Sequence, residues 1–254
     1  MNLKRLTFGL GLVLMLTGQV AHAQHSVEKY QKAADRGDAN AQFHLGLYFA
    51  NGQGVEKNPV EAAKWYRKAA EQGYAKAQCN LGLCYASGLG VSKNLTEALT
   101  WYRKAADQGL AIAQYNLGLC YANGQGVTKN PAEMVKWHRK AAELGYSTAQ
   151  NWLGVYYATG QGVVRDPAEA VKWYRKAAEQ GDGTGQYNLG HCYANGQGVQ
   201  KDLVEACKWY GLAAAQGDDK SKQKLAQTKQ KMTPAQIAEA QQLVQEFKNT
   251  SPKP

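Results

Sequence analysis

Beyond residue 23 the chain has no apolar run that reaches the roughly 20 residues a membrane-spanning helix needs. Histidine is scarce, and His25, His44, His138 and His191 stand at no spacing that suits a metal; His138 simply takes the place of a tyrosine after Trp137. Gly-Gln-Gly loops are present, but neither a strand nor the complete phosphate-binding fingerprint goes with them. No cofactor, metal or nucleic-acid partner is therefore expected. Cysteine comes as an odd five, Cys79, Cys84, Cys120, Cys192 and Cys207, so at least one stays unpaired within a monomer. Cys84, Cys120 and Cys192 share one repeat position, and stacked helices lie roughly 8 to 10 Å apart, beyond the Cα separation of at most about 7 Å that a disulfide spans. Cys192 and Cys207 are the one pair placed to face each other, as a bridge or as small apolar packing residues.

What is present is a beat. Trp65, Trp101, Trp137, Trp173 and Trp209 follow one another at intervals of 36 residues, and their neighbours recur with them. A period of this size marks one supersecondary unit copied in tandem, each copy too small to bury its apolar face alone. The copy from Leu110 to Gly145 shows the plan. Ala113, Leu117, Cys120 and Tyr121 fall at helical spacing and predict a helix A over Ala111 to Asn123. Two glycines in Asn123-Gly124-Gln125-Gly126-Val127 then let the chain reverse. Asn130-Pro131-Ala132-Glu133 predicts the start of helix B, with a capping side chain, proline at the first helical position and a glutamate placed to bond back to the cap. The same box recurs as Asn58/Glu61, Asn94/Glu97, Asp166/Glu169 and Asp202/Glu205, which accounts for the repeated carboxylates without catalysis. Gly46, Gly82, Gly118, Gly154 and Gly190 sit inside helix A, each costing about 1 kcal/mol of helix propensity, so a neighbouring helix is expected to pack closely there.

The ends differ from the beat. Lys4 and Arg5, the apolar run from Leu6 to Thr17 and Ala21-His22-Ala23 predict a cleaved secretory signal peptide over residues 1–23. A periplasmic or secreted protein starting near Gln24 is expected. Residues 24–37 match the end of a helix B and form an N-terminal half repeat; five copies occupy 38–217, capping helices 218–249 and a disordered tail 250–254. Leu225 keeps the register among crowded lysines, and Thr233-Pro234-Ala235-Gln236 opens a last helix whose Ile237, Ala240, Val244 and Phe247 form one face, a lid for the array. Net charge is +10, or +8 once Lys4 and Arg5 are removed, which favours anionic partners in the envelope.

Ala113-Gln114 through Leu117-Gly118 to Tyr121, then Gly124-Gln125-Gly126-Val127, then Trp173-Tyr174-Arg175-Lys176-Ala177-Ala178 carry a pattern that resembles the Sel-1-like repeat family, relatives of tetratricopeptide repeats. The resemblance covers about residues 24 to 231. It implies an all-α, right-handed superhelical solenoid whose A helices line a concave surface that holds partner proteins or peptides. By the same resemblance, the groove positions are Asn40, Lys76, Ile112, Thr148 and Thr184; Phe43, Cys79, Tyr115, Asn151 and Tyr187; and Leu47, Leu83, Leu119, Val155 and His191. These positions vary most among the copies, as on a recognition surface or on a face freed from packing.

Helix B carries a second stripe, a basic ridge of Lys64, Arg67, Lys68, Arg103, Lys104, Lys136, Arg139, Lys140, Lys172, Arg175 and Lys176, which ends at Gly211 and Leu212. It is a solvated face or a dock for an acidic protein or glycan. Some cysteine-rich relatives of the family are associated with penicillin binding or β-lactamase activity. Ser26-Val27-Glu28-Lys29 and Ser221-Lys222-Gln223-Lys224 fit Ser-x-x-Lys, but Ser-Asp-Asn and Lys-Thr-Gly are missing and the cysteine spacing departs from those relatives. The expectation is an exported, non-enzymatic adaptor that binds a protein or peptide in the groove. A cell-envelope hydrolase or β-lactam-binding protein, and a polyanion binder using the ridge, are the alternatives.

Overall fold

The computed structural model describes residues 25–250. The predicted signal peptide and all of the predicted tail except Thr250 lie outside them. Thr250 itself closes the last helix, its hydroxyl donating to the Glu246 carbonyl at 2.9 Å, so this residue belongs to that helix and not to the predicted tail.

The described residues form thirteen helices and no strand. The half repeat supplies α1 (residues 25–35). The copies supply the A helices α2 (Ala39–Asn51), α4 (Ala75–Ser87), α6 (Ala111–Asn123), α8 (Ser147–Thr159) and α10 (Gly183–Asn195), alternating with the B helices α3 (Pro59–Glu71), α5 (Leu95–Asp107), α7 (Pro131–Glu143), α9 (Pro167–Glu179) and α11 (Leu203–Ala215). Two further helices, α12 (Asp219–Lys229) and α13 (Pro234–Thr250), end the chain. The chain divides within α6 into two compact units, residues up to Ala113 with Gln125–Thr128, and Gln114–Gly124 with the residues from Lys129 onward. In each unit helices pack on their neighbours in sequence, the pairing of an α-solenoid.

Each B helix starts where expected, though by a different bond. The Asn58 side chain accepts from the amides of Val60 and Glu61 at 3.1 Å, and Asp202 accepts from Val204 and Glu205 at 2.8 and 3.0 Å. The glutamate does not bond back. The cap's own N–H donates to a carbonyl of the preceding A helix, Asn58 to Phe49 at 2.8 Å and Asp202 to Tyr193 at 2.9 Å. That frees the glutamate for Lys64, Lys136, Lys172 or Lys208 one turn on, or for an indole, as with Glu97 and Trp101 at 3.1 Å. Among the described residues the reciprocal box forms only at α13, where the Gln236 side-chain Oε1 accepts from the Thr233 amide at 2.9 Å and the Thr233 hydroxyl accepts from the Gln236 backbone amide.

Inside a copy, the leucine of Leu-Gly is sealed: Leu45, Leu81, Leu117, Leu153 and Leu189 are all 0% exposed. The following glycine receives a ring from helix B. A Cβ at Gly46 would lie 2.5 Å from the Tyr66 ring, and one at Gly154 2.6 Å from Tyr174. Close approach thus offsets the helix-propensity cost. The loop glycine Gly90, at φ +73°, belongs to the next contact, because a Cβ there would sit 1.9 Å from the Pro59 carbonyl oxygen of the preceding copy.

Copies are tied by glutamine. Gln42, Gln78, Gln150 and Gln186 are buried, and each donates its amide to the carbonyl of Ala34, Ala70, Ala142 or Ala178 at the end of the previous B helix, at 3.0 to 3.2 Å. Each also accepts from a second glutamine, Gln72, Gln108, Gln180 or Gln216, at 2.7 to 2.9 Å. This places one bond across every such junction, held in turn by a second bond within the copy, and explains why Ala-Gln recurs.

At the C-terminal end α13 packs on α11, with Phe247 edge-on to Trp209 at 5.4 Å. Val244 approaches to 3.5 Å of where a Gly211 Cβ would stand. The ridge therefore gives way to Gly211 and Leu212 because α13 covers that position. A cavity of about 140 Å³ remains among Cys207, Leu225, Lys229, Ala240 and Val244.

In the third copy Leu144, 58% exposed, stands where the second glutamine belongs, and the Gln114 Oε1 is buried without that bond. Leu144→Gln is expected to complete the pair and raise stability by about 1 kcal/mol. Thermal unfolding followed by circular dichroism would then show a Tm increase of about 3 °C.

Candidate functional site

The A helices differ from the B helices in charge before any geometry is considered. Not one of α2, α4, α6, α8 and α10 contains aspartate or glutamate, and Lys76 is their single lysine or arginine. Their outward faces are amide, hydroxyl, aliphatic and aromatic.

The predicted groove residues divide by depth. Asn40, Lys76, Leu83, Ile112 and Thr184 are exposed, Leu83 at 54%, while Leu47, Leu119, Thr148, Val155 and His191 are half-buried. The middle ladder lies deeper than a free surface. Phe43, Cys79 and Asn151 are buried, and Tyr115 and Tyr187 half-buried, because this position rests against the copy's own B helix. The Phe43 ring lies 6.0 Å from Tyr66 and 5.2 Å from Tyr74, and Tyr187 lies 5.7 Å from Tyr210. These side chains form the floor of the face.

In the second unit the face becomes aromatic. Trp152 on α8 is 40% exposed and stacks on Tyr156 at 6.0 Å, with the Tyr115 side chain alongside. Tyr146 meets Tyr115 edge-on at 5.4 Å, and Asn188 donates to Asn151 at 2.8 Å beside them. The groove pattern passed over Trp152, which lies one residue off its ladders. A signal was there: it is the one tryptophan of six outside the 36-residue beat.

His138 lies under this cluster, fully buried. Its Nε2 is 3.1 Å from the Tyr115 carbonyl, which only accepts, so Nε2 carries the proton and Nδ1 accepts from the Tyr156 hydroxyl at 2.8 Å. Burial pushes its pKa down to about 4. Both nitrogens are used and the ring is neutral, so its role is packing. Elsewhere the same place holds a tyrosine against a cysteine of the next copy, Tyr66 with Cys84 and Tyr174 with Cys192. Here a smaller ring faces a larger one, His138 with Tyr156, which conserves the shared volume.

The ridge cations are engaged within the fold. Lys68, Lys104, Lys140 and Lys176 sit 3.9 to 4.1 Å over the indole rings of Trp65, Trp101, Trp137 and Trp173. Arg67 donates to the Tyr85 hydroxyl at 2.7 Å, and Arg139 and Arg175 donate likewise to Tyr157 and Tyr193. Lys64, Lys136 and Lys172 pair with glutamates at 2.6 to 2.9 Å, in exposed pairs worth at most about 1 kcal/mol each. Arg103 is exposed on α5.

All five cysteines are buried free thiols, so the disulfide considered for Cys192 and Cys207 is not formed. Cys192 packs with Tyr174 and Trp209, whereas Cys207 turns to the cavity under α13 beside Lys229. Ser221 is fully buried and donates its hydroxyl to Asp218, the N-cap of α12, closing it off as a nucleophile. Two clefts open at the starts of A helices, one of about 310 Å³ at Tyr74, Lys76 and Gln108, and one of about 520 Å³ at Thr184, Tyr187, Asn188, Gln216 and Lys220.

The family profile described as Sel1 repeat matches residues 24–38, 39–74, 75–110, 111–146, 147–182 and 184–218. The chain belongs to the Sel1 repeat family. Among solved structures it is similar to a Sel1 repeat protein from Oxalobacter formigenes, at 37% identity and a TM-score of 0.75 over 92% of this chain and 97% of that one. It is similar also to c5321, a protective antigen of uropathogenic Escherichia coli with the same fold, at 32% identity and a TM-score of 0.58 over 90% of this chain. The match spans 57% of the antigen's length. An immunity protein, Pa5087 from Pseudomonas aeruginosa, shares the fold at 24% identity and a TM-score of 0.51, over 84% of this chain and 83% of that one. No curated protein matches the chain.

If His138 and Tyr156 are a size-matched pair in this Sel1 repeat array, His138→Tyr alone is expected to cost about 2 kcal/mol by overpacking, and adding Tyr156→Cys to restore most of it. Denaturant titrations of the four proteins of the cycle measure this coupling. The wild type has a pH signature as well. A histidine lowered from 6.5 to about 4 contributes fully above pH 6.5, and its share is lost as pH falls toward 4, because the unfolded chain binds the proton first. The loss approaches about 3 kcal/mol and should shrink in the double variant, measured between pH 7 and 4.

Proposed function

We propose that this Sel1 repeat protein is a non-enzymatic scaffold that holds a protein or peptide on the outward faces of its A helices. Trp152 carries the reading. A large aromatic ring, partly exposed and stacked in place, is the kind of rigid anchor on which binding energy concentrates. In the first unit, taken by itself, Leu83 and Ile112 are likewise exposed on A helices. Export is part of the proposal and rests on the composition of residues 1–23. The engagement of the ridge lysines by indoles weighs against a polyanion site there, and the burial of Ser221 weighs against the hydrolase alternative.

A pull-down from cell-envelope extract at low and high salt tests this, with wild type, Trp152→Ala and the triple ridge reversal Lys64→Glu, Lys136→Glu, Lys172→Glu as baits. One partner is expected to survive salt and the ridge reversal, and to fall at least about tenfold with Trp152→Ala. Equal recovery on wild type and Trp152→Ala would sink the proposal, and loss with the ridge reversal alone would move the site to the B helices.

A further inference from the structure

The A-helix columns continue past the fifth copy and change character. One period beyond Thr184 and Asn188 stand Lys220 and Lys224, one turn apart on α12 and so on one face of it. The other lysines of that helix are occupied or turned away. Lys222 pairs with Asp219 at 2.8 Å, and Lys229 lines the cavity under α13.

Lys220 forms a wall of the cleft of about 520 Å³ with Thr184, Tyr187, Asn188 and Gln216. Lys224 is near enough to His191 that, with burial, it holds the imidazole toward its neutral form. Neither lysine forms an ion pair among the described residues. The one carboxylate lining the cleft, Asp218, is already taken by the Ser221 amide at 2.7 Å and by its hydroxyl. Residues 114–124, α8 and α10 bring no acid of their own. An aromatic and amide face whose helices carry no acid therefore runs up to two cations that form no ion pair among the described residues, with the Asp218 cap the one carboxylate near Lys220.

We infer that this end of the groove takes an acidic peptide segment, its apolar side chains against Tyr115, Trp152 and Tyr187 and a pair of carboxylate side chains on Lys220 and Lys224. Two charges are too few for a polyanion, whose affinity grows with the number of cations engaged, but they suit a short acidic pair. Asn188 and Gln216 spend their N–H groups on Asn151, Gly181 and Gln186, which leaves their amide oxygens, between aromatic face and lysines, to accept from an extended backbone. The inference rests on the groove reading above and adds the partner's chemistry to it.

The test is selection of a random-peptide phage library on the protein without residues 1–23, with the enriched peptides then made in acetylated and amidated form and titrated by fluorescence anisotropy. Enriched sequences should pair adjacent Asp or Glu with aromatic or aliphatic residues. Lys220→Ala with Lys224→Ala should weaken them roughly tenfold, and Lys220→Glu with Lys224→Glu should shift preference to peptides with paired Lys or Arg. Circular dichroism checks that the variants remain folded. Peptides that depend on Trp152 but show no acidic preference would overturn this inference and leave the groove standing. Peptides indifferent to Trp152→Ala, or no enrichment at all, would count against both. Binding lost on amidation alone would assign the lysines to a chain terminus and overturn the acidic pair.

Discussion

A ring pressed against a glycine sets the spacing of the two helices in every copy. Tyr66 on Gly46, Tyr102 on Gly82, Tyr174 on Gly154 and Tyr210 on Gly190 hold the ring atoms 2.5 to 3.2 Å from where a Cβ would be. No other residue at the glycine permits that approach, and no smaller residue on helix B fills the gap without loss of contact. With the helices this close, the leucine beside the glycine is sealed from solvent and the cap of helix B reaches a carbonyl of helix A. The loop then needs its second glycine, because it comes down on the preceding copy's first B-helix residue.

Junctions between copies obey a different rule, polar instead of steric. A buried glutamine amide that both donates to a helix-end carbonyl and accepts from a second amide is satisfied on both sides, so its burial is favourable where a single bond would leave a penalty. The carbonyl it takes is one of those a helix end leaves without a partner. Copies with the pair are thus joined by chemistry that tolerates almost any residue on the outward face of helix A.

That tolerance is where function enters. B-helix cations are spent on indoles, tyrosines and glutamates, while A-helix faces carry no acid and accumulate aromatic side chains toward the second unit. His138 and Tyr156 show how much substitution the scaffold absorbs: a tyrosine and a cysteine became a histidine and a tyrosine, and both polar ends found partners. The same adaptability brings Trp152 to the surface beside Tyr115 without disturbing the Leu153–Gly154 packing beneath it.

The sequence alone determined the architecture, because a 36-residue period written in tryptophan, glycine and capping residues leaves a single helix-turn-helix plan, and it located both helices of each copy and the half repeat before them. The basic stripe and its interruption at Gly211 and Leu212 are written in the sequence as well, but not that Val244 and Phe247 of α13 cover the spot. Only the tertiary structure decided depth and partnership. Phe43, Cys79 and Asn151 share a helix position with Tyr115 and Tyr187, yet the first three are buried and the two tyrosines stay half-exposed, a difference of depth that spacing does not record. The capping glutamates turn away because a carbonyl from another helix claims the N–H first, and Cys192 and Cys207 stay apart because their side chains face opposite neighbours. Spacing along a chain records which residues share a helix face; what stands across from that face is known only once the chain has folded.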